Sequence, residues 1–321
     1  MTRRSRTGSH RRDVRTITTI AALGIAILGV GCGSASSESD AGGAAISIVA
    51  TTTVWGDVVS EVTGADAAVD VLVPIGADIH GFELSSQQVA RIQQADLVVA
   101  NGLGLEAGMR DALDAAQADG ANILWLAEEL DPLPFGSHGS DDDANGLDPH
   151  VWLDPQRVAV AASLITQQLA VVEPAIDWSA RAEAYAASLD GADSLIVETL
   201  IAVPQDARKM VTNHDAFEYF ADRYGFDVIG VVIPGGSTLG DPSSSELASL
   251  VDVMYDEGVT ALFSETTTSP ALAEAVAAEL GQDVVVVELF AGSLGPPGSG
   301  AETLIGMLVT NAERIAQALA P

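Results

Sequence analysis

Cysteine occurs once in the 321 residues, at Cys32. A single thiol closes no internal disulfide and builds no thiolate cluster, which excludes a disulfide scaffold and a structural zinc site of the cysteine type. Basic residues are also scarce: 14 Lys and Arg stand against 45 Asp and Glu, a formal net charge of −31. So acidic a surface repels nucleic acid and anionic membranes. It draws cations toward any open cleft, although solubility alone is an equal reason for it. Aromatic residues are only 5% of the chain while 48% is hydrophobic, a balance that suits a packed α/β protein and neither a fibre nor a membrane bundle.

The apolar run Ile17–Val30 follows six arginines (Arg3, Arg4, Arg6, Arg11, Arg12 and Arg15) and ends at Gly31-Cys32. At about 14 residues it is too short to cross a bilayer as a mature helix and has the layout of an export signal. Residues 1–31 therefore read as a lipoprotein signal peptide, with cleavage before Cys32 and a diacylglycerol on its sulfur holding the mature protein to the cell membrane, outside the cytoplasm. The other reading is a secreted protein with an incidental cysteine, since Gly29 stands where such signals usually carry Leu. Loss of residues 1–31 removes six of the 14 bases and one of the 45 acids, leaving 44 acids against eight bases and a net charge of −36. Residues 32–45, rich in Gly, Ala, Ser and acids, read as a flexible tether.

From Ile46 onward short β-branched runs alternate with helical segments, the pattern of parallel sheets covered by helices. Expected strands in the first half are 46–50, 69–73, 97–100 and 122–126, with helices at 54–63 and 85–95. The second half repeats the arrangement, with strands at 209–212, 227–232, 261–264 and 284–288 and helices near 216–224, 244–257, 270–280 and 301–318. Ser243 and Glu246 form a capping box. Between the halves Asp154 and Pro155 open one helix, and Asp177 caps another running to about Ile201. The expected fold is thus α/β with two pseudo-symmetric lobes, 46–156 and 203–321, each a mainly parallel sheet flanked by helices. They are joined by a long rigid helix within a connecting segment, 157–202. Such a connector favours small lobe adjustments over wide hinge closure.

Four histidines remain after the signal. His80 follows an expected strand, His150 lies just ahead of the capped helix and His214 follows the strand 209–212. In doubly wound sheets the loops past the carboxyl ends of the strands form the ligand crevice, so these three can converge where the lobes meet. Neutral imidazole suits Zn²⁺, whereas Mn²⁺ prefers carboxylates. His138 sits in Gly136-Ser-His-Gly-Ser-Asp-Asp-Asp-Ala-Asn145, by composition a solvated acidic loop or else a weak metal-gathering flap.

Several strings resemble the solute-binding proteins of ABC transporters for zinc and manganese, the cluster A-I family, and in particular its zinc branch. They are Val73-Pro-Ile-Gly-Ala-Asp-Ile-His-Gly-Phe-Glu83, Ala95-Asp-Leu-Val-Val-Ala-Asn-Gly102, Asp148-Pro-His-Val-Trp-Leu-Asp-Pro155 and Thr212-Asn-His-Asp-Ala-Phe-Glu-Tyr-Phe-Ala221. Phe263-Ser-Glu265 and the stretch from Leu294 to Met307 also match, and the likeness runs from Ile46 to the end. It implies a monomeric, non-catalytic protein that captures Zn²⁺, with Mn²⁺ the weaker fit, through His80, His150 and His214. Glu265 would be a fourth ligand or a support behind the ligands. Delivery would be to a cognate permease and its ATPase, and protonation of the imidazoles would weaken capture below about pH 6. Where many members place a fourth, acidic ligand this chain has Gly292. Segment 135–147 stands where zinc members carry a His-rich acidic loop. Rival readings are an Mn²⁺ or Fe²⁺ binder of the same family, a surface adhesin or metal chaperone, or a zinc hydrolase. No His-Glu-x-x-His string is present to favour the last.

Overall fold

The computed structural model describes residues 46–136, 146–281 and 284–321. The signal segment, Cys32, the tether through residue 45 and His138 lie outside the described residues.

The first sheet is built from β1 (Ile46–Ala50), β2 (Ala67–Val71), β3 (Leu97–Ala100) and β4 (Ile123–Trp125) in the order β2-β1-β3-β4. The second uses β5 (Lys209–Thr212), β6 (Asp227–Val231), β7 (Ala261–Glu265) and β8 (Val285–Leu289) in the matching order β6-β5-β7-β8. Every pairing in both sheets is parallel. Parallel strands need crossover helices, which cover both faces, so the central strands are continuous apolar runs: Ile48, Val49, Ala50 and all of β3 are buried.

The crossovers are α1 (Thr53–Thr63), α2 (Ser86–Gln94) and α3 (Arg110–Ala118) in the first lobe. The second lobe has α6 (Glu218–Tyr224), α7 (Ser244–Asp256) and α8 (Ala271–Leu280), with α9 (Leu304–Leu319) after the last strand. Side chains set several of their starts. Thr52 accepts the Trp55 N–H at α1, and capping boxes open both α2 (Ser85 with Gln88) and α7 (Ser243 with Glu246). Helix α3 has no side-chain cap and buries only Leu113 and Ala116, so its pattern is faint and it was not among the expected elements. Strand β2 begins two residues before the expected 69–73. Leu72 and Val73 nonetheless still donate to the carbonyls of Ala50 and Thr51 at 2.9 and 3.1 Å. Helix α9 starts at Leu304 rather than 301, because the Thr303 hydroxyl is the group that accepts the Gly306 N–H.

Two helices connect the lobes: α4 (Pro155–Val172), capped by Asp154 with Pro155 in its first turn, and α5 (Ser179–Leu200). Asp177 stands one residue before the formal cap of α5, Trp178, and accepts the Ser179 N–H at 3.0 Å. The 22 residues of α5 span about 33 Å at 1.5 Å per residue. Its buried stripe, Tyr185, Leu189, Ala192, Ile196 and Leu200, has helical spacing and faces α4, α1 and α9. Because α1 belongs to the first lobe and α9 to the second, one apolar core runs through both by way of α5. A smaller cluster, including Val211, Leu250, Leu262 and Val276, belongs to the second lobe alone and lies under α7 and α8.

Candidate functional site

His80 lies in the β2–α2 loop, His150 ahead of the short turn Val151–Leu153 that leads into α4, and His214 two residues past β5. All three are buried, at 4%, 1% and 1% exposure. Their ring centroids stand 5.6 Å apart for His80 and His150, 5.1 Å for His80 and His214, and 5.0 Å for His150 and His214. One ring nitrogen from each lies within 4.8 Å of the other two, so the three histidines singled out in the sequence meet at one point. Nε2 of His150 and Nε2 of His214 face each other at 3.2 Å.

Two of the rings are held from behind, and the third, His80, is held through its backbone. Asp148 Oδ1 accepts the backbone N–H of His150 at 2.8 Å and contacts its Nδ1 at 2.7 Å. Asp78 Oδ1 accepts the backbone N–H of His80 at 3.0 Å. The spacing Asp-x-His is shared, and in both the aspartate makes a local turn that fixes the backbone leading into the ring. Neither aspartate was assigned a role from the sequence, although this repeated spacing is a signal that finds them. Glu265, at the end of β7, is hydrogen-bonded to Nδ1 of His214. It therefore stands behind that ring rather than among the three facing nitrogens. The His214 carbonyl accepts the Thr212 hydroxyl at 2.8 Å.

The His150 segment is clamped from both lobes. Asn101 donates to the Pro149 carbonyl at 3.0 Å, Tyr219 to the Asp148 carbonyl at 2.6 Å, and Trp152 Nε1 to the Ala291 carbonyl at 2.9 Å. Gly292 is half-buried beside the His80 loop, where an added Cβ would lie 3.3 Å from Ile79 Cγ2. No carboxylate enters the site from that position.

Burial pushes the imidazoles of His80 and His150 well below their usual range, and the neighbouring imidazoles add to the shift. Burial acts on His214 in the same direction, but the charge and hydrogen bond of Glu265, with Asp148 and Asp78 adding, carry it above its usual value. Asp148 is pushed up to about 8 by burial, against lowering by the His150 N–H and by His214. An Nδ1–H donated to Asp148 Oδ1 leaves the lone pair of His150 on Nε2, the atom that faces His214. Two rings pinned through Nδ1 and turned inward through Nε2, with the His80 ring beside them, could hold a cation that takes nitrogen donors.

The family described as the periplasmic component A of the zinc-uptake complex, ZnuA, matches residues 48–318. The chain belongs to this family. It is accordingly a substrate-binding protein of a metal ABC transporter, a component that works with a permease and an ATPase, and not an enzyme. Among ZnuA-type relatives, it is 29% identical over 297 residues to the manganese-binding lipoprotein MntA of Halalkalibacterium halodurans, covering 92% of this chain and 95% of that one. It is 28% identical over 279 residues to the zinc-binding protein TroA of Treponema pallidum, covering 85% and 88%. The solved structure of the periplasmic zinc-binding TroA from that organism has the same fold, with a TM-score of 0.76 at 27% identity over 86% of this chain and 99% of that one. Among the described residues no helix is long and apolar enough to cross a membrane.

Proposed function

We propose that this ZnuA-family protein captures Zn²⁺ between its lobes, with Nε2 of His150, Nε2 of His214 and one ring nitrogen of His80 as ligands, and delivers it to the membrane permease. The observation that carries this reading is the 3.2 Å approach of the two Nε2 atoms. Two lone pairs at that distance repel unless a proton or a cation lies between them. Tetrahedral zinc, with Zn–N of about 2.0–2.1 Å, sets its ligand nitrogens about 3.3 Å apart. Glu265, bonded to Nδ1 of His214, raises that ring's hold on a proton against the effect of burial, so a proton competes with the ion for the gap.

Asp148 and Glu265 behind Nδ1 fix the tautomer and raise the donor strength of the rings. With Glu265 engaged there and Gly292 at the acidic position of other members, the fourth site is left to water. A second reading, Mn²⁺ as the cargo, is favoured by the manganese-binding names of relatives. Against it stands the donor set, since Mn²⁺ prefers carboxylate oxygen and here the nearest carboxylates are held by imidazoles.

Upstream, residues 1–31 serve as the signal, and Cys32 carries the lipid that holds the mature protein to the membrane. A Cys32→Ala variant that stays membrane-bound would rule out that anchor.

Calorimetry on the protein lacking residues 1–32 tests the site. One Zn²⁺ should bind per chain, more tightly than Mn²⁺, and alanine at His80, His150 or His214 should weaken it more than about 100-fold, exceeding the usual cost of losing a supporting partner. Equal Zn²⁺ affinity at pH 7.5 and pH 5 would count against three imidazole ligands, because a charged ring donates no lone pair.

A further inference from the structure

Strand for strand, β2 of the first lobe corresponds to β6 of the second, so the loop bearing His80 has a counterpart in the segment 232–243 between β6 and α7. Both loops end in a capping box. The second holds no histidine but contains Pro234-Gly-Gly-Ser-Thr-Leu-Gly240, and it reaches across to the first. Thr238 Oγ1 donates to Asp78 Oδ2, while the other oxygen of the same carboxylate holds the His80 N–H. Next to it, Leu239 lies over Gly81, close enough that a Cβ there would come within 3.1 Å of Leu239 Cδ2. At its base the segment is tied to the other ligand loop, with the Asp215 N–H donating to the Gly235 carbonyl at 3.2 Å and the Ile233 N–H to the Asn213 carbonyl at 2.8 Å. One strap thus connects the loop carrying His214 to the loop carrying His80.

We propose that this strap is a latch on the cleft and that Thr238 is a positioning residue: through Asp78 its hydroxyl holds the His80 loop against the other two imidazoles and sets how long the ion stays bound. The proposal rests on the metal-capture reading above and adds the part that controls release. A hydroxyl bonded to a half-buried carboxylate is the appropriate strength for the task. It contributes enough to hold one loop, and it breaks without disturbing either sheet when the lobes shift. The strap also has little freedom to slide, because the Phe135 ring fills the space over Gly236, where an added Cβ would meet Phe135 Cζ at 2.0 Å.

The test compares Thr238→Val, Thr238→Ser and Gly236→Ala with the parent protein lacking residues 1–32. Zn²⁺ release into excess chelator is followed by stopped flow, and hydrogen exchange of the 78–82 amides is measured on the metal-free protein. Thr238→Val should release Zn²⁺ about tenfold faster, the effect of one hydrogen bond to a charged acceptor. Its 78–82 amides should exchange faster while its Tm is unchanged, Thr238→Ser should restore both values, and Gly236→Ala should move them as Thr238→Val does. Parent-like release and exchange in Thr238→Val would overturn the latch, as would a serine variant that behaves like the valine one. Failure of the parent protein to bind Zn²⁺ at all would sink the metal-capture reading instead, and the exchange data would still decide whether the hydroxyl holds the loop.

Discussion

In the first lobe β1 ends at Ala50, and the residue two positions on, Thr52, caps α1 through its side chain. In the second lobe β5 ends at Thr212, and the residue two positions on is His214, whose ring points into the cleft. The edge loops are reversed in the same way: after β2 comes a loop with His80, after β6 a loop with Thr238. At the ends of β3 and β7 stand Asn101, which holds the Pro149 carbonyl, and Glu265, which holds the His214 ring. Two lobes of one topology therefore present complementary groups at equivalent places. The parallel sheets supply rigid loop mouths, and the chemistry depends only on which residue occupies each mouth.

The largest test of this contrast is to exchange the roles at the first pair. His214→Ala should weaken Zn²⁺ binding more than about 100-fold, read by calorimetry, whatever stability is lost by leaving the Glu265 carboxylate without its imidazole. Thr52→Ala should instead cost about 1 kcal/mol of stability as a lost helix cap, read by thermal melting, and leave affinity near the parent value. Equal effects on binding would show that the lobes share the site rather than divide it.

At the second pair, Glu265→Ala should lower Zn²⁺ affinity by about 10- to 100-fold, as expected for removal of a carboxylate behind a ligating imidazole. Asn101→Ala should act chiefly on stability, because its amide orders backbone and touches no ring of the site. A titration series on both variants decides this, and a larger binding loss for Asn101→Ala would reverse the assignment. Gly292→Asp places a carboxylate beside the His80 loop, with Ile79 giving way slightly. It should raise Mn²⁺ affinity relative to Zn²⁺, since it adds the oxygen donor that Mn²⁺ prefers, and competition binding would reveal an unchanged ratio if the position does not face the site.

The smallest expected effect lies at the seam behind the cleft. Thr53 and Asp57, one turn apart on α1, accept the Leu294 N–H at 2.9 Å and the Leu304 N–H at 2.8 Å, so the first lobe holds two backbone donors of the second. Burial pushes Asp57 up to about 6, with Glu61 adding and the Leu304 hydrogen bond opposing. A carboxyl raised in the folded state binds its proton more readily there than in the unfolded chain, so its share of stability falls as pH rises from about 4 to about 6. Asp57→Asn should flatten the Tm of the metal-free protein across that window, and an unchanged slope would show that Asp57 contributes nothing to it.

Much of the scaffold was legible because its signals are local. The apolar runs of β1, β3 and β5, the capping box at Ser243 and Glu246, and the Asp154-Pro155 helix start each lie within a few residues of chain. Helix α3 was not, since two buried residues and no capping side chain leave little periodicity to read. At the site, the three histidines were recognisable from their places after strands and before a capped helix. The partners of their Nδ1 atoms were not equally so. Asp148, two residues from its ring, was given no role although the repeated Asp-x-His spacing marks it, while Glu265, 51 residues from His214, was named only through the family resemblance, as a fourth ligand or a support.

The sequence by itself determined where strands and helices form, which residues end up in loops, and that the donors offered are imidazoles without thiolates. These follow from side-chain pattern and backbone preference over short stretches of chain. Tertiary structure alone decided that two Nε2 atoms face each other, that Glu265 stands behind a ring, and that Thr238 reaches Asp78 across the cleft. Such contacts depend on how α5 sets one lobe against the other, a geometry that belongs to the whole core and to no single segment.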